Sequence, residues 1–436
     1  MKAPEGKANG RIAVIGRGTA GALAAASVSR LHPDQDHELH HIYDSRIPII
    51  GVGEGSWPSL VQQLRQLSGL PHEEVQRRLN GTRKYGVSFE GWGRLNQDFI
   101  HYFAPQQVAF AYHLSADVMA ELLQANTRAR HIDAKVLNVT KVDGGAEVEF
   151  EGRPPERYDL VFDARGFPGK PDPQEHINID FIPTNSAVIR RCPATVQPPC
   201  QRGLVLEPTY TRAVARPHGW VFVIPLAVHT SYGYVYNSDL SSLDEVQADF
   251  DELLSQEGVP EFEHRAVIAF PNFVHRQIYD GAVARIGNAA SFMEPLEATA
   301  IGFAQLQVSL ILRMRFTRPA SYFEDDAPVI NSFLVNDSLA GGLFVGWHYC
   351  CGSRHDSPFW RYAKETAWGN YRTAIDSALA DCSGLRKFDG MMALLNGTTI
   401  DESEWQRRCA FFPLTSFAQM AYGLGVPLRQ QRAADA

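Results

Sequence analysis

Three glycines in the run Gly16-Arg-Gly18-Thr-Ala-Gly21 separate an apolar stretch, Arg11-Ile-Ala-Val-Ile15, from an alanine-rich one, Ala22 to Leu31. This spacing serves to hold an anionic diphosphate. Gly16 permits a tight turn, Gly18 lets backbone N–H groups approach phosphate oxygens, and Gly21 lets the next helix pack closely on the strand before it. A second strand-like run, His37 to Asp44, ends in a carboxylate that can accept hydrogen bonds from ribose hydroxyls. A glycine triplet alone is a weak signal. Strand, turn, helix and acid in that order make a specific one for a dinucleotide.

Two later segments bear on which dinucleotide. Tyr158-Asp-Leu-Val-Phe-Asp163-Ala-Arg-Gly166 reads as a strand with a carboxylate and a glycine at its carboxyl end, and Ala284-Arg-Ile-Gly287-Asn288-Ala289-Ala290 repeats the design. In FAD proteins of the glutathione-reductase-like type the chain returns to the nucleotide at two such points. Three separated contacts therefore favour FAD over a nicotinamide dinucleotide.

The rest of the chain must supply the frame. Of 436 residues, 44% are apolar and 21% charged, which is ample for the core of one or two large domains. A formal net charge of -8, with no basic run, excludes a nucleic-acid surface built on clustered Lys and Arg. Met1 to Gly10 is polar and Ile12 to Ile15 is too short for a signal core or a membrane span, so a cytoplasmic protein with no membrane partner is expected. The six cysteines (Cys192, Cys200, Cys350, Cys351, Cys382, Cys409) show no CxxC or Cys/His metal spacing, and neither disulfide nor metal is expected.

Five further segments carry a resemblance over nearly the whole length. Gly51-Val52-Gly53-Glu54-Gly55-Ser-Trp-Pro58 resembles the GVGEAT-P segment of the flavin-dependent tryptophan halogenases, and Arg83-Lys84-Tyr-Gly-Val-Ser-Phe-Glu-Gly-Trp92 resembles their FKLGIRFENW region. Gly219-Trp220-Val-Phe222-Val-Ile-Pro225 is similar to WxWxIP, and Glu294-Pro295-Leu-Glu297-Ala-Thr-Ala-Ile301 to EPLESTGI. His348-Tyr349 with Asp356-Ser-Pro-Phe-Trp360 is similar to the paired HY and DTPFW features.

The resemblance implies an FAD-dependent halogenase. A separate reductase supplies reduced FAD, oxygen and halide (chloride or bromide) yield hypohalous acid, and the oxidant reaches an aromatic substrate of tryptophan or indole type through a lysine. Lys84 falls on that catalytic lysine, holding the halogen by hydrogen bonding or as a chloramine. Glu297 falls on the glutamate that stabilises positive charge on the ring or accepts its proton. Thr299 and Ala300 fall on the halide loop. The flavin contacts implied are Gly16, Gly18, Thr19, Ala20, Gly21, Asp44, Ile47, Ile50, Val52, Gly53, Glu54, Gly55, Asp163, Gly287, Asn288, Pro295 and Ile301. His348, Tyr349 and Trp360 are candidate substrate contacts, although aromatic residues at helical spacing are more often core. Trp220 and Pro225 are expected to be structural, as part of a wall between flavin and substrate. No other histidine shows a base–nucleophile pattern.

Departures from the family pattern set further expectations. Phe222 replaces the second Trp of WxWxIP and keeps an aromatic wall. Ala298 lacks the hydroxyl of the family's Ser, and Ala300 replaces a Gly, which leaves a flavin monooxygenase hydroxylating an indole without halide as the competing reading. The short connection between Phe103-Ala-Pro105 and Tyr112-His-Leu implies an open site, suited to a substrate that is large or carried on a peptide or carrier protein. The expected fold is α/β with α+β mixing, glutathione-reductase-like. An FAD module spans 1–315, built from 1–105, 130–180 and 265–315. A substrate-side sheet at 181–264 includes runs at 203–205, 220–226 and 232–236, and a helical region, 316–436, covers the substrate cavity.

Overall fold

A computed structural model describes residues 10–31, 37–47, 49, 53–104, 109–194, 210–259, 261–377 and 412–426. The nucleotide unit is a five-stranded parallel sheet in the order Val283–Arg285, Leu160–Asp163, Gly10–Ile15, His37–Tyr43, Arg130–Asp133. Successive side chains on a strand face opposite ways, and here both faces are covered. Ile12, Val14, Leu160 and Phe162 pack into the main core beside Ala24, Ala25 and Val28 of the helix Thr19–Leu31. Ala13, Ile15 and Val161 pack instead against Ala146, Val148 and Phe150 of a three-stranded antiparallel ribbon. Parallel strands buried on both faces account for the apolar run read before the glycine loop.

The second large sheet has seven strands in the order Glu263–Ala269, Ser186–Pro193, His229–Tyr236, Gly219–Pro225, Tyr210–Arg216, Gly86–Glu90, Phe99–Tyr102. Every pairing is antiparallel except Tyr210–Arg216 with Gly86–Glu90, which is parallel. Its outer face, Val188, Val214, Val221, Val223, Tyr232 and Tyr234, is covered by Val246, Phe250, Leu253 and Leu254 of the helix Leu243–Gln256. A capping box of Ser242 and Glu245 starts that helix. The inner face, Ala187, Ile189, Ala213, Trp220, Phe222 and Ile224, joins the main core. The runs at 220–226 and 232–236 are thus neighbouring strands, while 203–205 lies outside the described residues. The strands at 86–90 and 99–102, grouped by sequence with the flavin segments, complete this sheet.

A small third sheet links the two units, in the order Gly53–Gly55, Ala111–Ser115, Thr82–Lys84. The helices Phe323–Trp347, Pro358–Ser377 and Leu414–Leu424 form the C-terminal region. Phe323–Trp347 is the single described helix long and apolar enough to cross a membrane, and 72% of its most apolar window is buried inside the protein, as for a core helix.

Candidate active site

The glycine loop has the shape a diphosphate needs. Gly16 takes φ +103, and a Cβ there would stand 2.5 Å from the Ala164 carbonyl oxygen. A Cβ on Gly21 would stand 1.9 Å from the Gly16 oxygen, so the helix can approach only as glycine. At Gly18, which precedes the N-terminus of Thr19–Leu31, no atom of the described residues lies within 4 Å of that position. Arg17 Nε is buried beside it with no hydrogen-bond partner among the described residues, while Nη2 donates to the Ile47 oxygen at 2.8 Å. The His41 imidazole donates from Nε2 to the Gly16 oxygen at 2.9 Å and braces the turn. Burial lowers that ring to about 4, so it stays neutral.

Asp44 follows the end of its strand, where two hydrogen bonds from Arg46, at 2.8 and 2.7 Å, hold its carboxyl down at about 2. Asp163 repeats the arrangement with Arg165, at 2.9 and 2.7 Å. Gly287, at φ +56, meets Ala20 so closely that a Cβ would stand 2.6 Å from the alanine's, and its N–H donates to Gln307 Oε1 at 2.8 Å. Thr19, Ala20, Asn288 and the exposed Ile47 border the same loops. Burial pushes the Glu54 carboxyl up to about 7, with Asp117 adding to the rise. Ile50 and Val52 lie outside the described residues. These features fit an FAD held along the carboxyl ends of the parallel strands.

Lys84 ends a short strand and is fully buried. Its Nζ has no hydrogen-bond partner among the described residues and lies 5.3 Å from the centre of the Phe103 ring. Burial lowers the amine to about 8, against a smaller upward pull from Glu297.

Glu297 is placed by backbone strain. It takes φ 64 and Ala298 takes φ 55, both in the left-handed region that costs a non-glycine residue about 1 to 3 kcal/mol. The turn aims its carboxylate inward, where Oε1 receives His101 Nδ1 at 2.8 Å and His348 Nε2 at 3.1 Å, while Trp57 Nε1 donates to its backbone oxygen at 2.9 Å. Burial alone would raise this acid, but the two imidazoles outweigh it and hold Glu297 well below the usual carboxylate range. Phe344 packs 5.9 Å from the His101 ring and 3.9 Å from the Phe412 ring, and Phe412 packs 5.2 Å from Trp57, which makes an aromatic enclosure.

Beyond Ala298 the helix Thr299–Thr317 begins with no side-chain cap, so its first N–H groups have no intrahelical acceptor. Thr299 is buried and Ala300 is exposed in the first turn. Helical geometry suits alanine, so Ala300 needs no glycine; the strain sits at Glu297 and Ala298 instead. Pro295 is exposed and Ile301 buried.

The candidate substrate residues have their side-chain polar atoms engaged within the protein. His348 Nδ1 donates to the Phe344 oxygen at 2.7 Å, so its Nε2, which also faces an acceptor in Glu297 Oε1, donates there with both ring nitrogens protonated. Tyr349 donates to Glu294 at 2.6 Å and Trp360 donates to the Arg216 oxygen at 2.8 Å. Tyr349 and Trp360 form one buried cluster with Trp92 and Trp220. Sequence reasoning missed His101, a lone histidine on a strand whose partner is 196 residues away. Glu294, fully buried against Tyr349 and Thr184, was also passed over; burial raises it to about 7.

Cys192 is a buried thiol, and Cys350 Sγ lies 3.6 Å from Cys351 Sγ in a thiol–thiol contact. Among the described residues one group has metal-like spacing: Glu175, His176 and His275, with donor atoms within 4.8 Å of one another. The Gln277 N–H donates to His275 Nδ1 at 3.0 Å, so the neutral ring carries its proton on Nε2 and offers no lone pair there.

The sequence model described as tryptophan halogenase matches residues 11–108 and 104–436 of the chain. RebH, the tryptophan 7-halogenase of Lentzea aerocolonigenes, is 25% identical over 81% of this chain and 79% of its own. SttH, the tryptophan 6-halogenase of Streptomyces toxytricini, is 24% identical over 82% and 81%. Among solved structures, MibH, a lanthipeptide tryptophan 5-halogenase, superposes with TM-score 0.78 at 21% identity, covering 100% of this chain and 91% of that one. Xcc4156, a flavin-dependent halogenase from Xanthomonas campestris, gives 0.78 at 21%, covering 97% and 90%. The fold expected from the sequence is the fold these structures share.

Proposed function

The chain belongs to the tryptophan halogenase family and is a flavin-dependent halogenase with FAD as its cofactor, and on that premise we propose how its side chains divide the reaction. Reduced FAD, delivered by a separate reductase, supplies together with oxygen and halide the electrophilic halogen. Gly16, Gly18 and Gly21 hold the diphosphate, Asp44 the ribose, and the segment around Glu54 and Gly287 the rest of the cofactor. Thr299 and Ala300, at an uncapped helix start, hold the halide through backbone N–H groups.

The single observation that carries the reading is Lys84: a buried amine with no hydrogen-bond partner among the described residues, beside a carboxylate that two imidazoles keep ionised. An amine lowered to about 8 is partly neutral near pH 7 to 8 and has a lone pair for hypohalous acid. The N–halogen bond forms, the O–halogen bond breaks, and the departing hydroxide takes the nitrogen's proton as water. The held halogen then meets one ring carbon of an aromatic substrate, where a diffusing oxidant would attack at random. Glu297 stabilises the positive charge on the ring and accepts the proton from the substituted carbon, which returns to the amine nitrogen.

Phe103, His101 and Phe344 make an enclosure suited to an indole, and the small number of residues between Phe103 and Tyr112 suits one borne on a peptide or carrier protein. Reduced thiols at Cys192 and Cys351 fit a reducing cytoplasm. The test is product mass from an indole and peptide panel with reductase, FAD, oxygen and either chloride or bromide. Halide-dependent mass gains support the reading, and gain of oxygen independent of halide replaces it with a monooxygenase.

A further inference from the structure

Thr82, His113 and Thr211 lie outside every role assigned above, yet they adjoin Lys84. On the strand Thr82–Lys84, residues two apart share a face, so Thr82 and Lys84 point the same way. His113 stands directly opposite Thr82 in the ladder and opposite Gly55 on the other side. A point above Gly55, where its Cβ would be, lies 2.8 Å from Lys84 Nζ and 3.5 Å from Thr211 Oγ1. The missing side chain is what lets the amine and the hydroxyl share that space.

The polarity of the contacts follows from the inventory of protons. Thr82 has one hydroxyl proton and donates it to the Pro225 carbonyl oxygen at 2.6 Å. Its oxygen must then accept from His113, 3.0 Å away, so the ring proton is on Nδ1. A neutral ring with Nδ1–H has a lone pair on Nε2, and Thr211 Oγ1, at 3.0 Å, must donate to it. Neutrality is secured by surroundings: His113 is fully buried, and burial and the neighbouring Lys84 both hold it far below the usual histidine range. The Thr211 proton is therefore committed, and its oxygen can only accept from the Lys84 side.

We propose that the chain Thr211 to His113 to Thr82 to Pro225 is a one-way hydrogen-bond line that presents Thr211 Oγ1 to Lys84 as an acceptor only: the amine, which makes no hydrogen bond to the described residues in this structure, turns an N–H to that oxygen when it engages the halogen, and its lone pair is left facing the incoming atom. A hydroxyl free to rotate could donate to that lone pair and block it; this one cannot. Thr211, His113 and Thr82 are positioning residues, and their function rests on the reading of Lys84 as the halogen-accepting amine.

The experiment has two parts. In unmodified protein labelled with 15N-histidine, NMR between pH 7 and 9 reads the His113 tautomer; Nδ1–H is expected, and Nε2–H or imidazolium overturns the line. Turnover is then compared for Thr211→Val, Thr211→Ser and Thr82→Val. The two valine variants are expected to lower kcat roughly three- to tenfold, the scale of one hydrogen bond, with KM for the aromatic substrate unchanged, and serine at 211 is expected to restore it. Thr82→Val should also move the His113 proton to Nε2. Unchanged kcat in both valine variants, with Lys84→Ala inactive, overturns the line and leaves the reading of Lys84 standing. An active Lys84→Ala overturns that reading itself.

Discussion

His101 Nδ1 and Glu297 Oε1 stand 2.8 Å apart inside a fully buried enclosure, and their pairing sets one half of the site's electrostatics. The carboxylate has two imidazoles, whereas the amine of Lys84 has no hydrogen-bond partner among the described residues. The charge is fixed on the acid and negotiable on the base.

Glu297→Gln keeps the shape and removes the charge. If the carboxylate stabilises the ring cation, single-turnover halogenation should slow by about a hundredfold or more with FAD affinity unchanged. His101→Ala should give a smaller loss of the same kind, because His348 still holds the oxygen. A Glu297→Gln enzyme that turns over at the native rate rejects the role.

Lys84 should show itself in pH dependence. Its folded midpoint near 8 lies below the unfolded value of about 10.4, so the buried charge opposes folding below pH 8, and the penalty is relieved as pH rises from about 8 to about 10.4. Lys84→Met should therefore raise unfolding stability at pH 7 by roughly 2 kcal/mol while abolishing halogenation. The halogenation rate of native protein should climb through pH 8. A denaturant midpoint lower in the methionine variant contradicts this account.

The glycine loop separates fold from binding. Gly21→Ala forces a Cβ within 1.9 Å of a carbonyl oxygen and should destabilise the apoprotein, seen as a lower Tm. Gly18→Ala meets open space, so it should leave the apoprotein Tm unchanged and weaken FAD binding at least tenfold by calorimetry. Equal effects in both variants contradict the assignment.

These contrasts show what the sequence could carry. The nucleotide loop was legible because glycine is the only residue the geometry admits at Gly16 and Gly21, and order along the chain repeats order in space. Lys84 and Glu297 were legible only through extended motifs. His101 was not, since one histidine in the run Phe99-Ile-His-Tyr102 has no local signature. Thr82, His113 and Thr211 are likewise ordinary strand residues until the register places them side by side.

Ala300 drew attention in the sequence as a methyl group in the halide loop. Its exposed position in a helical first turn predicts that Ala300→Gly leaves halide dependence within about twofold and costs about 1 kcal/mol of stability. Steady-state kinetics against bromide and chloride concentration, with a thermal melt, check both.

The corner at Lys84, where the chain leaves the small sheet and enters the large one at Gly86, has a consequence for biogenesis. His113 finds Thr211 across 98 residues and His101 finds Glu297 across 196. Loops of that length close late, after local helices and hairpins have formed. A nascent or partly folded chain thus carries Lys84 as an ordinary hydrated side chain, and the amine acquires its unusual basicity only when the last distant strands dock. Reactivity toward an oxidant is in this sense a certificate of complete folding.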